Sequence, residues 1–405
     1  MRLLKLLFRL FIGLAILGVT AVIGLLLVMG WLHSRPVTLP TPAGPYGVGR
    51  VEYDWVDLAR AETFGPGQDG KRELDVWVWY PTDPAAASAA PAPYLPPTWR
   101  AACLQGQPPE ILAQLLIQDL SVVQPHAVLA APLAAAPSAF PVLVLQPGLG
   151  PILPDYTTLA EDLASRGYVV FGSTPTYSSA VVVFPDGRVA PRAEAANISD
   201  KATPAEAEQI LAGLIQVWAA DNRFVLDQAT ALNRSDPDGR FTGRLDLAHV
   251  GFWGHSFGGA SAAETCHLDA RCKAGLNLDG YPYGDVIQAG LDQPFMTQWS
   301  EPSDLSDPDW QQARRDMGSV ERRLGVDGYQ IMIRGARHFN FTDNSVFYAP
   351  FLKLRGGLGA IDGWRFLSIS TAYTAAFFDH TLKGQAEPLL AGPSTQFSEV
   401  QFLTH

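Results

Sequence analysis

The hexapeptide Gly254-His255-Ser256-Phe257-Gly258-Gly259 lies between two segments of different kind. Before it runs Leu247-Ala248-His249-Val250-Gly251-Phe252-Trp253, short and apolar, which reads as a buried strand. After it runs Ala260-Ser261-Ala262-Ala263-Glu264-Thr265, which reads as a helix. Strand, Gly-x-Ser-x-Gly and helix in that order describe a sharp turn that holds a serine oxygen out at the C-terminal edge of a sheet. Gly254 and Gly258, two residues to either side of the serine, lack Cβ atoms, so strand and helix backbones can approach closely. The new helix aims its N-terminus at the same spot, where negative charge is stabilised. Ser256 is therefore the candidate nucleophile.

The surrounding pattern supports a sheet of that kind. Phe140 to Leu145, Gly167 to Gly172, Lys273 to Leu278, Pro294 to Trp299 and Tyr329 to Ile333 are apolar runs of strand length. Helical segments separate them: Tyr156 to Arg166, the segment opening at Thr203-Pro204-Ala205-Glu206, and Trp364 to Leu382. Continuous apolar strands alternating with helices predict an α/β fold with a mostly parallel central sheet covered on both faces. Two alternating strands, Gly49 to Val56 and Arg72 to Tyr80, precede it. Residues 84–140, rich in Ala and Pro, interrupt the pattern as an insertion with one helix expected over Pro108 to Val122 and are expected to form a cover.

The N-terminus carries a different signal. Arg2, Lys5 and Arg9 form a basic end, residues 1–9, ahead of an uncharged apolar run over residues 10–32. As a helix that run is roughly 34 Å long, enough to cross a bilayer core. It is longer than a secretory h-region and ends without a good cleavage site, so an uncleaved single-pass anchor is expected, with the N-terminus cytoplasmic and the rest periplasmic or extracellular. Residues 33–48 hold four prolines and two glycines and read as a linker or an extended approach segment, leaving 49–405 as the catalytic domain. A net charge of -11 and the lack of a basic stripe beyond the N-terminus argue against nucleic acid. The three cysteines offer no Cys-x-x-Cys pair, and no metal or other cofactor is implied. Cys266 and Cys272 would close a small loop in an oxidising compartment, leaving Cys103 free.

A nucleophilic serine needs a base, and the base needs a carboxylate to orient it; in this architecture they follow in the order serine, acid, histidine. His338, in the loop after the Tyr329 to Ile333 strand, is the base candidate. Asp279, which ends the strand after the elbow helix, is the leading acid, with Glu301, Asp304 and Asp285 as rivals. The oxyanion needs two backbone N–H donors: Phe257 follows the nucleophile, and Leu149 lies in Gly148-Leu149-Gly150 after the Phe140 to Leu145 strand. Tyr281, Tyr283, Trp299, Phe339 and Phe341 lie near the acid and base loops and either line an acyl pocket or belong to the core.

Gly148-Leu149-Gly150, Gly254-His255-Ser256-Phe257-Gly258-Gly259, Leu278-Asp279-Gly280 and Ile333-Arg334-Gly335-Ala336-Arg337-His338 together resemble the platelet-activating-factor acetylhydrolase family of serine α/β-hydrolases, and in particular its bacterial, dienelactone-hydrolase-like relatives. The resemblance covers roughly residues 45–385 and implies the α/β-hydrolase fold, a Ser256–His338–Asp279 triad and hydrolysis of short or oxidised acyl esters of phospholipids. The family's oxyanion loop commonly reads His-Gly-x-Gly, whereas this chain has Gln146-Pro147 ahead of Gly148. Serine at the elbow, where true dienelactone hydrolases carry cysteine, points to an ordinary carboxylic ester. The rival functions are a peptidase of the same fold and a catalytically silent binding or scaffold protein.

Overall fold

The computed structural model describes residues 2–66, 70–85, 90–105, 120–198, 203–324, 328–347 and 349–404. Fourteen strands are described: β1 Val37–Thr38, β2 Gly47–Ala61, β3 Lys71–Thr82, β4 Val123–Gln124, β5 Val128–Leu129, β6 Phe140–Gln146, β7 Val169–Thr174, β8 Val181–Val183, β9 Val189–Pro191, β10 Leu245–His255, β11 Cys272–Leu278, β12 Phe295–Ser300, β13 Gly328–Ile333 and β14 Val400–Thr404. The described helices of nine residues or more are α1 Arg2–His33, α2 Pro97–Gln105, α3 Thr157–Ser165, α4 Pro204–Arg234, α5 Phe257–Leu268, α6 Pro308–Glu321 and α7 Gly363–Lys383.

Ten strands form one sheet in the order β14-β13-β12-β11-β10-β6-β7-β3-β2-β5. Its centre, from β13 to β7, is parallel throughout. β3 joins antiparallel at one side and β14 antiparallel at the other. This is the α/β-hydrolase fold. The parallel strands are buried on both faces, and their side chains divide between two cores. Along β6, Leu143 and Leu145 face α3 and α7, while Val142 and Val144 face α4, α5 and α6. Trp253 and Phe252 make the same division on β10. All parallel strands end on one edge, so the loops leaving β6, β10, β11 and β13 gather there.

The helix start read from Thr203-Pro204-Ala205-Glu206 begins α4: Thr203 Oγ1 accepts from the Glu206 N–H, and the Glu206 carboxylate accepts from the Thr203 N–H at 2.7 Å. The segment expected as a linker or an extended approach segment is packed on the domain. Leu39 is buried, Ala43 N–H donates to Asp162 Oδ1 and Gly44 N–H to Ser165 Oγ, both at 2.9 Å. Its prolines keep it extended, Leu39 N–H donates to Gln124 O on β4, and the Ala43, Gly44 and Tyr46 N–H groups find acceptors on α3. The insertion contributes Tyr94, Leu95 and Trp99 to the same core as α3 and α7. Trp99 sits edge-on to Trp77 at 5.8 Å and Tyr94 edge-on to Phe347 at 5.6 Å. The helix expected over Pro108 to Val122 lies outside the described residues except for the single turn Leu120–Val122. At the other end, α1 is long and apolar enough to cross a membrane by length and composition, and the side chains of its apolar residues from Leu6 to Leu32 are largely exposed.

Candidate active site

Ser256 has φ 56° and ψ −124°, backbone angles that a residue with a Cβ adopts only under strain. The strain is imposed from both sides. Ser256 N–H donates to Leu278 O at 2.7 Å, fixing the end of β10, and Ser256 O accepts from the Gly259 and Ala260 N–H groups as α5 begins. A Cβ on Gly254 would collide with the Gly258 backbone, and one on Gly258 with the Gln146 carbonyl. The two glycines therefore allow strand, turn and helix to close on each other. The first amides of α5 have no carbonyl within the helix to bond, which leaves the Phe257 N–H available beside the serine.

Asp279 is the other non-glycine residue of the sheet edge with positive φ, 56°. Its N–H continues the ladder to Gln298 O at 2.8 Å, and its side chain is turned back toward β12 and the histidine loop. Oδ1 accepts from Ser300 N–H at 2.7 Å; Oδ2 accepts from Ser300 Oγ–H and lies 2.8 Å from His338 Nδ1. Asp279 is buried, whereas the His338 side chain is 41% exposed, so the imidazole bridges the carboxylate and the open side of the site.

The rival acids are used elsewhere. Glu301 Oε2 accepts from Gly335 N–H at 2.8 Å, and its backbone carbonyl accepts from the Arg337 guanidinium; it ties down the loop that carries His338 without touching the imidazole. Asp304 accepts from Ser306. Asp285 begins the single turn Val286–Ala289.

A chain of hydrogen bonds that sequence alone does not reveal runs beneath the site. His255 is fully buried, and Nε2 lies 3.0 Å from the backbone oxygen of His338. A carbonyl can only accept, so Nε2 carries the proton and Nδ1 is an acceptor. The Tyr156 hydroxyl, 2.8 Å from Nδ1, must then donate to it, and the Tyr156 oxygen accepts from Gly148 N–H at 3.1 Å. Burial, reinforced by the neighbouring His338 ring, holds the His255 pKa well below its ordinary value, so it stays neutral. The direction of every bond is thus fixed from the oxyanion loop to the backbone of the base. Because Tyr156 takes the Gly148 N–H, the remaining candidate donors of that loop are the Leu149 and Gly150 N–H groups. A Cβ on Gly148 would lie 3.0 Å from Ser256 Cβ, which brings this loop against the serine.

Of the five expected aromatics, Trp299 is fully buried: it packs edge-on to Trp310 at 5.1 Å, donates from Nε1 to Gln330 Oε1 and lies 6.4 Å from the Tyr281 ring. Tyr281 is 44% exposed beside the acid, and Phe339 stands edge-on to His338 at 5.5 Å. The apolar wall on the oxyanion side joins the expected Tyr283 to Trp218, which the sequence places on the apolar face of α4. Phe257 packs on Trp218 at 5.0 Å and on Tyr283 at 5.7 Å, with Leu149, Ile210 and Val217 half-buried around them. Behind α5, the sulfurs of Cys266 and Cys272 are 2.00 Å apart in a disulfide, and Cys103 is free.

Asp155, at the far end of the oxyanion loop, accepts from Ile152 N–H at 3.1 Å. Burial pushes its carboxyl up to about 7, outweighing that hydrogen bond. The unfolded group titrates near 3.9. Since the folded value is the higher one, its contribution to stability is complete below pH ~4 and is lost as pH rises through about 7. Asn keeps an acceptor for Ile152 and cannot ionise. Relative to Asp155→Asn, the wild type is expected to lose about 1–4 kcal/mol between pH 4 and 8. Denaturant midpoints at the two pH values measure this, and an unchanged gap would sink it.

Residues 32–388 match the family described as platelet-activating factor acetylhydrolase, isoform II. A probable 1-alkyl-2-acetylglycerophosphocholine esterase of Arthroderma benhamiae is 27% identical over 283 residues, 65% of this chain and 66% of that protein. A platelet-activating factor acetylhydrolase of Cavia porcellus is 27% identical over 223 residues, 50% of this chain and 48% of the relative. The chain thus matches between half and two thirds of the length of these curated relatives. A ferulic acid esterase from Streptomyces cinnamoneus superposes with a TM-score of 0.72 at 29% identity, covering 91% of this chain and 99% of its own. With 32–388 of its 405 residues matched, the chain belongs to the isoform II platelet-activating factor acetylhydrolase family of the α/β-hydrolase fold.

Proposed function

We propose that this chain is a serine hydrolase of carboxylic esters. Ser256 Oγ attacks the ester carbonyl while His338 Nε2 takes its proton, and Asp279 holds His338 in the tautomer that leaves Nε2 free to accept. The tetrahedral oxyanion is held by the Leu149 and Phe257 N–H groups. His338 returns the proton to the departing alkoxide, which leaves an acyl-serine. Water attacks that ester under the same base, the proton passes back to Ser256, and the acid is released. The observation that carries this reading is the 2.8 Å contact of His338 Nδ1 with a buried Asp279 on the sheet edge where Ser256 is held strained. The half-buried wall around Phe257 suits a short or oxidised acyl chain. The names of the relatives point to an ester of a glycerophospholipid.

α1 fits a lipid substrate as well: it would anchor the enzyme beside a membrane, with Arg2, Lys5 and Arg9 on the cytoplasmic side and the catalytic domain beyond it. A fluorophosphonate probe tests the nucleophile directly. The adduct is expected on the peptide containing Ser256, and acetyl-ester substrate should slow its formation. A folded protein that takes no label there, or takes it equally fast with substrate in excess, would overturn the assignment.

A further inference from the structure

Arg192 lies just past β9, with its N–H donated to Ala180 O at 3.2 Å, so its backbone is pinned. Its side chain runs to the oxyanion loop: a Cβ on Gly150 would lie 3.6 Å from Arg192 Nη2 and meet nothing else within 4 Å. Nε and Nη2 are both buried and have no hydrogen-bond partner. No carboxylate among the described residues pairs with this guanidinium. Three other sheltered arginines have carboxylate partners, Arg72 with Glu62 and Asp221, Arg60 with Asp57 and Asp221, and Arg166 with Asp162, while the buried Arg50 rests on the Trp77 ring and donates to Pro93 O. Arg188, four residues earlier and more exposed, pairs with Asp54, Glu73 and Asp186. Withdrawal from water without a counter-charge lowers the Arg192 pKa, with burial its only cause.

A sheltered cation with two unmatched N–H donors costs free energy in the empty protein. A planar carboxylate or phosphate meets such a fork with two parallel charged hydrogen bonds. Gly148 abuts Ser256, and Gly150 is two residues further, at most ~7 Å along the chain. The guanidinium therefore stands at most ~17 Å from the serine, on the side of the oxyanion loop. That range admits a charge carried several bonds from the reacting carbonyl.

We propose that Arg192 recognises an anionic oxygen group on the ester, either the phosphodiester of a glycerophospholipid or a carboxylate ending an oxidised acyl chain. This role rests on Ser256 being the nucleophile, and the test separates the two. Two substrate pairs are compared on the full chain: a 2-acetyl glycerophospholipid against the matching uncharged acetylglycerol, and p-nitrophenyl hydrogen glutarate against p-nitrophenyl butyrate. The wild type is expected to prefer the anionic member of at least one pair in kcat/KM. Replacement Arg192→Met should cut that preference about 10- to 100-fold, the loss of a charged hydrogen-bonded contact. Arg192→Lys, which keeps the charge without the fork, should fall between. The pair that responds identifies the source of the anion. Thermal stability should not fall in Arg192→Met, since no bond is lost.

No anionic preference in the wild type, an unchanged preference in Arg192→Met, or a clear fall in its melting temperature would each overturn the role of Arg192. Turnover of no ester above the Ser256→Ala background would instead overturn the nucleophile on which it depends.

Discussion

Replacing Ser256 by Ala is expected to lower ester turnover by on the order of 10⁴- to 10⁶-fold while leaving the melting temperature unchanged. The size follows from what is lost and what stays. Without Oγ there is no acyl-enzyme, and only water attack assisted by the oxyanion donors and by binding remains. In other serine hydrolases that residue of catalysis amounts to ~10³–10⁴ over water. Stability should not change because the strain at φ 56° comes from the backbone and Cβ, which Ala retains. Turnover of p-nitrophenyl acetate beside a thermal melt measures both quantities. A variant within tenfold of wild type would remove Ser256 from the chemistry.

The parts of the site that sequence reveals are those whose chemistry depends on neighbours along the chain. The elbow is legible because its glycines, its strand and its helix are contiguous. The sheet is legible because parallel strands buried on both faces read as unbroken apolar runs. The antiparallel edge strand β14 gives no such run, since Gln401 interrupts it; β8 is an apolar run, Ala180 to Phe184, yet it pairs with β9 apart from the main sheet, which the run itself does not signal. Trp299 shows where proximity in sequence misleads: it precedes the Ser300 that binds the acid, yet the two-residue period of β12 sends adjacent side chains to opposite faces.

Tyr156 and Arg192 carry no sequence signal, since each meets the oxyanion loop through tertiary contact alone. His255 could have been suspected: a histidine closing an apolar strand must find partners for both ring nitrogens, and it does so in Tyr156 and His338. Gln146, at the head of the oxyanion loop, is buried and donates to Trp218 O at 3.0 Å, so the support behind the loop is a bond to α4.

The choice of acid, open in the sequence, gives the second large effect: Asp279→Asn should lose about 10⁴ in turnover, and Glu301→Gln less than tenfold. The Ser300 N–H, 2.7 Å from Oδ1, requires an acceptor, so an Asn here keeps its carbonyl oxygen at that position. Its NH₂ then faces His338 Nδ1 where Oδ2 stood. Nδ1 becomes the acceptor and Nε2 carries the proton, which is the wrong tautomer for taking one from Ser256. The imidazolium of the transition state also loses its counter-charge. Glu301 accepts a single N–H from Gly335, which a Gln carbonyl can accept equally, so the loop and its histidine stay in position. The two variants are to be assayed on the same ester, with melts to show that both are folded. Near-full turnover in Asp279→Asn beside a collapse in Glu301→Gln would transfer the acid role to Glu301. That result would require the loop after β13 to rearrange when substrate binds, because Glu301 here contacts the backbone of that loop and not its histidine.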